Sequence, residues 1–132
     1  MRVTSRSLLV IDDNDDFITL VKLFLELDTD WKIITAKNGK EGIAKAREQQ
    51  PDLILIDVLM PGLDGIGVYQ ILKSEKATRS IPAILFTAML GAKKKVQSEV
   101  GEDVEVITKP MGIISLKKQI TNLYGRYLSF SQ

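Results

Sequence analysis

Three stretches of this chain are apolar at every position: LLVI at 8–11, LILI at 53–56 and AILF at 83–86. Each is too short for a stable helix and rich in branched side chains, so each reads as a β-strand. A strand that shows one face to water alternates apolar with polar residues. A strand apolar throughout has to be covered on both faces, which is the condition of a parallel sheet between two layers of helix. Two further runs, KIIT at 32–35 and VEVI at 104–107, complete a set of five strands.

The intervals between the runs are amphipathic. Phe17, Leu20, Val21, Phe24 and Leu27 fall at helical spacing and predict a buried face, with Asn14 or Asp15 able to cap the start. Asn38-Gly39 predicts a turn before a short second helix that buries Ile43 and Ala46. Asp64 is positioned to cap a third, which buries Val68, Ile71 and Leu72. A weaker fourth follows Gly91 and stops near Gly101. The last begins near Ile113, with Leu116, Ile120, Leu123, Tyr124 and Tyr127 on one side.

Five strand-then-helix units predict an α/β fold. The expected form is a flavodoxin-like, doubly wound five-stranded parallel sheet of order 2-1-3-4-5 with five helices. Residues 1–132 are expected to form a single domain, with no room for an output domain after the last helix.

Composition removes several chemistries. There is no Cys and no His, so there is no thiolate nucleophile, imidazole base or Cys- or His-ligated metal. Any metal has to be held by oxygen, which points to Mg²⁺, Mn²⁺ or Ca²⁺, with Mg²⁺ expected and Mn²⁺ able to substitute. A net charge of +1 gives no general reason to expect nucleic acid or an anionic membrane as partner. No apolar run approaches spanning length and none has the form of a signal peptide, so a cytoplasmic setting is expected.

Polar residues fall where the strands end. The first strand runs into Asp12 and Asp13, the third into Asp57, the fourth into Thr87 and the fifth into Lys109. Ligands of open α/β sheets bind at these carboxyl ends, where the strand order reverses. Asp12, Asp13 and Asp57 would converge there, with Thr87 and Lys109 arriving from the next strands along. Three carboxylates with one Lys leave excess negative charge, which a divalent cation relieves. An Asp, a metal, a hydroxyl and a Lys around one point suit phosphoryl transfer, with Asp57 as nucleophile. Asp15 and Asp16 read as first-turn acids favoured by the helix dipole. Lys93, Lys94 and Lys95 read as a solvated helix face.

VIDDN at 10–14, LILIDVLMPGLDG at 53–65, FTA at 86–88 and TKP at 108–110 occur in that order at those strand ends. Together they make the chain resemble the receiver domain of bacterial two-component response regulators over nearly its whole length. The resemblance implies that Asp57 is the phosphoacceptor of a phosphorylation-switched signalling module that promotes only its own phosphorylation and dephosphorylation. It implies that Asp13, Asp57 and the Leu59 carbonyl bind Mg²⁺ directly, with Asp12 acting mainly through water. Thr87, the Ala88 N–H and Lys109 would contact the phosphoryl group, and Pro110, after a cis bond, would shape the loop. The implied partners are a sensor histidine kinase or His-containing phosphotransfer protein, a downstream protein target, and a second copy paired through helix 4, strand 5 and helix 5.

Three positions depart from the family pattern. Val106 stands where the family usually has the Tyr or Phe that turns inward as Thr87 moves. Leu59 and Met89 are apolar where many relatives carry polar groups able to orient water. Met111 replaces a common Phe. The loss of the aromatic leaves a phosphorylation-independent interaction domain as an alternative. Hydrolases of the haloacid dehalogenase type also combine an Asp nucleophile, Mg²⁺, Thr and Lys. Their nucleophile lies on the first strand with a second Asp two residues on, whereas here position 59 is Leu.

Overall fold

The computed structural model describes residues 6–28, 30–88, 91–108, 118 and 121–122. Every apolar run is a strand: β1 (Arg6–Ile11), β2 (Trp31–Ala36), β3 (Leu53–Asp57), β4 (Ala83–Thr87) and β5 (Glu105–Thr108). Between them lie α1 (Asp15–Asp28), α2 (Gly39–Gln49), α3 (Gly65–Ser74) and α4 (Ala92–Val100). Positions 118, 121 and 122 are also helical. The remainder of the expected last helix, including Leu116, Ile120, Leu123, Tyr124 and Tyr127, lies outside the described residues. No helix among the described residues is long and apolar enough to cross a membrane.

All strand pairings are parallel and the sheet order is β2-β1-β3-β4-β5, as the sequence led us to expect. The chain moves one way from β1 to β2 and the other way from β3 onward. The crevice therefore opens between the carboxyl ends of β1 and β3.

Alternate residues of the same strand feed two separate cores. Leu8, Val10, Leu53, Leu55, Ile84 and Phe86 pack with Ile18, Val21 and Leu25 of α1. Their neighbours Leu9, Ile11, Ile54, Ile56 and Leu85 pack with Ile43, Ala46, Val68, Leu72 and Val96 of α2, α3 and α4. This period of two explains why the central runs have no polar position.

The buried face of α1 differs from the expected one. Ile18, Val21 and Leu25 turn inward, and Phe17 is half-buried with its ring 5.4 Å from that of Phe86. Leu20, Phe24 and Leu27, expected inside, are exposed together with Leu23. The helix is apolar on both sides, so periodicity alone admits two inner faces. The chain enters α1 from Asn14, whose Oδ1 accepts the Phe17 N–H at 3.0 Å. The face that meets the sheet is the one whose Ile18, Val21 and Leu25 pack on Leu8, Val10, Leu53, Leu55, Ile84 and Phe86.

The other helices start close to the expected positions. Asn38 Oδ1 accepts the Glu41 N–H at 2.8 Å and Asp64 Oδ1 accepts the Gly67 N–H at 2.9 Å. Asn38 is thus the cap of α2, with Gly39 its first residue and not part of a separate turn. Gly91 and Gly101 bound α4 in backbone conformations with positive φ that suit glycine.

The two faces of α1 give a direct test. Leu25→Ala should lower unfolding stability by about 2–5 kcal/mol through cavity formation. Leu27→Ala should leave it within about 0.5 kcal/mol. Urea denaturation of the two variants measures the difference, and equal losses would refute the assigned faces.

Candidate functional site

The acid-rich stretch after β1 separates into distinct roles. Asp12 continues the strand, its N–H donating to the Ala36 carbonyl at 3.0 Å, and it is fully buried. Its Oδ1 accepts the Asn14 N–H at 3.0 Å, which turns the chain toward α1. Asp13 is exposed at the rim. Asp15 and Asp16 lie in the first turn of α1, where the helix dipole favours acids, and Asp15 pairs with Lys37 at 3.4 Å.

Asp57 is the last residue of β3 and is 5% exposed. The register Leu8↔Leu53 to Ile11↔Ile56 brings Asp12 level with Asp57 one step further on. Carboxylate oxygens of Asp12, Asp13 and Asp57, one from each residue, lie within 4.8 Å of one another. The structure thus brings together the three acids that the strand ends predicted.

Unit charges about 4 Å apart repel by roughly 1 kcal/mol in water and about 4 kcal/mol near a protein surface. Two of these three acids are buried, so water screens them poorly. The donors are all hard oxygens, without His or Cys, and one of the three faces solvent. That set suits Mg²⁺, which takes a few carboxylates and keeps several waters.

The remaining expected residues follow from the register. Thr87 ends β4 and is buried, and Ala88 behind it is exposed. Thr87 pairs with Thr108, the last residue of β5, so position 109 directly follows that strand end. Lys109, Pro110, Met111 and Met89 lie outside the described residues. Val106 pairs with Leu85 and packs half-buried against the core beneath α2, α3 and α4. Leu59 is 53% exposed at the mouth of the crevice, and its N–H donates to Asp57 Oδ1 at 3.4 Å.

Sequence reasoning missed how closely α3 approaches the end of β3. Gly65 begins α3, and its N–H donates to the Val58 carbonyl at 3.0 Å. The Asp64-Gly65 dipeptide carried a signal for this: a cap followed by a residue that lets two backbones meet.

Residues 8–121 match the family model of the response regulator receiver domain. The chain is 34% identical over 119 residues to the response regulator PleD of Caulobacter vibrioides, covering 90% of this chain and 26% of that protein. It is 41% identical over 104 residues to the transcriptional regulatory protein ResD of Bacillus subtilis, covering 78% and 41%. It also superposes on the signal receiver domain of a signal transduction histidine kinase from Syntrophus aciditrophicus. That match has a TM-score of 0.77 at 30% identity and covers 91% of this chain and 90% of the other. The chain spans between 26% and 50% of the length of the first curated relatives it matches. On this match and this fold, the chain belongs to the family of two-component response regulator receiver domains.

Proposed function

We propose that Asp57 accepts a phosphoryl group from a phosphohistidine on a sensor kinase or phosphotransfer protein, and that the new charge switches docking, dimerisation or onward transfer. The observation that carries this is the convergence of Asp12, Asp13 and Asp57 within 4.8 Å at the crevice. Thr87 sits one strand along, at the end of β4.

In this reading a carboxylate oxygen of Asp57 attacks phosphorus. The new O–P bond forms as the donor's N–P bond breaks, and the imidazole leaves with the electron pair and takes up a proton. Asp13, Asp57 and the Leu59 carbonyl would hold Mg²⁺, with Asp12 acting through water. When bound, the cation supplies charge neutralisation to the transferring oxygens. Thr87, the Ala88 N–H and Lys109 donate hydrogen bonds to those oxygens. The carboxylates return to their resting charge when the phosphoryl group leaves.

Two departures tune the module. Leu59 and Met89 offer no side-chain hydrogen bond to an attacking water, so the aspartyl phosphate persists. Val106 cannot act as the usual aromatic reporter, so the signal passes through residues 88–91 into α4. A small cleft lined by Val58 and Leu59 on one side and Ala92, Lys95 and Val96 of that helix on the other lies along this route.

Incubation with acetyl phosphate and Mg²⁺ should add one phosphoryl group by intact mass, and Asp57→Ala or a chelator should abolish the gain. No gain with the metal site filled would defeat the proposal. The phosphorylated form should last far longer than seconds at neutral pH, and Leu59→Asn should shorten it severalfold. Chemical dephosphorylation kinetics by mass or by acid-stable label decide this; a wild-type half-life of seconds would contradict it. Val106→Tyr, or substitutions across residues 88–91, should alter phosphorylation-dependent partner binding. Unaltered binding in both would exclude this signalling route.

A further inference from the structure

The loop that leaves Asp57 returns to touch the same strand end. It runs from Val58 to Asp64 and carries Leu59 on the way. At its start, the Val58 N–H donates to the Phe86 carbonyl of β4 at 2.9 Å. At its end, the Gly65 N–H donates to the Val58 carbonyl at 3.0 Å. Val58 is therefore tied on one side to the sheet and on the other to the first residue of α3. Asp64 Oδ1 caps that helix through Gly67, and the Asp64 carbonyl accepts the Val68 N–H at 3.0 Å.

The close approach leaves no space for a side chain at position 65. A Cβ there would lie 2.1 Å from the Asp57 carbonyl oxygen, 2.7 Å from Val58 Cα and 2.8 Å from the Asp57 carbonyl carbon. These are backbone atoms of a buried strand end, which have no rotamer to change. Gly67, two residues on, presents a different case. A Cβ there would meet Leu63 Cδ1 at 2.7 Å, the far end of a side chain that is 40% exposed and free to swing out.

We propose that Gly65 is a positioning residue: its contact with the Asp57–Val58 backbone sets where the Asp57 carboxylate and the Leu59 backbone stand for cation binding and phosphoryl transfer. The contact acts through the peptide units on both sides of Val58, one bearing the Asp57 carbonyl and the other the Leu59 N–H that donates to Asp57 Oδ1. A side chain at position 65 pushes this segment off the head of α3 and carries both cation-facing groups with it. The proposal rests on the reading of Asp12, Asp13 and Asp57 as a cation site. The pair Gly65 and Gly67 separates a local fault in the site from a general loss of helix packing.

The test compares Gly65→Ala with Gly67→Ala, both in the full chain and under conditions where urea curves show each to be folded. Mg²⁺ is titrated while the amide resonances of Asp12, Asp13 and Leu59 are followed. Gly65→Ala should weaken Mg²⁺ binding by about 10–100-fold, the usual loss when groups supporting a metal's ligands are disturbed. Gly67→Ala should bind Mg²⁺ as the parent does, whatever its stability. Equal affinity in the parent and Gly65→Ala would overturn the proposal, as would equal weakening in both variants.

A measurement on the parent protein needs no variant to fold. By linkage, a contact that favours the bound cation is itself favoured by it. Exchange of the Gly65 amide hydrogen should therefore slow severalfold at saturating Mg²⁺, while that of Gly42, bonded to Asn38 within α2, should not change. Unchanged exchange at Gly65 with Mg²⁺ bound overturns the proposal. A parent chain that shows no response to Mg²⁺ at any resonance overturns the cation-site reading itself, and the proposal falls with it.

Discussion

The buried pairing of β1 with β3 is the constraint on which the rest of the structure depends, and it holds carboxylate oxygens of three acids within 4.8 Å of each other. They repel, and nothing local in the chain would gather them, because Asp57 lies more than forty residues from Asp12 and Asp13. What holds them is the pairing of β1 with β3, two strands buried on both faces. A slip of one residue in that pairing would turn Leu9 and Ile11 toward α1 and Leu8 and Val10 toward α2, disturbing both cores at once. The hydrophobic cost of such a slip is what sets the acids level with each other. Burial of the strands thus supplies the work needed to concentrate negative charge at the crevice.

The same device is repeated around the site with different chemistry. Thr87 is brought to the crevice by the buried run of β4, and β5 ends opposite it at Thr108. The functional groups themselves sit one residue past the apolar stretch, where the sheet ends and water or a ligand begins. Positioning comes from the strands, and the loops after β3 and β4 leave from the same strand ends. Leu59 and Ala88, in those loops, are both exposed. Gly65 links the two levels, because it lets the head of α3 rest directly on the end of β3.

The places where sequence reading succeeded and failed have clear physical causes. Strand runs were legible because full burial forbids polar residues at any position of 8–11, 53–56 or 83–86. The cap at Asp64 was legible because a side-chain acceptor at a helix start is a local requirement, whereas Asn38, expected in a turn with Gly39, proved to be the cap of α2. The inner face of α1 was not, because Phe17, Leu20, Val21, Phe24 and Leu27 and the set Ile18, Val21 and Leu25 both satisfy helical spacing. Packing against the sheet chooses between them. The tight contact at Gly65 was likewise hidden, since a glycine in a turn-like motif has many uses and its neighbour in space is a backbone carbonyl.

By itself, then, the sequence determined the layered α/β form and the identity of the polar residues that end each strand. Those follow from periodicity and from which side chains tolerate burial, and both are written locally. Tertiary structure alone decided that Asp12 stands level with Asp57, which side of α1 faces the sheet, and that α3 presses its first residue against the end of β3. These depend on register, helix packing and backbone approach between segments far apart in the chain. Their energies arise only when the segments pack together, so no single stretch of residues carries them.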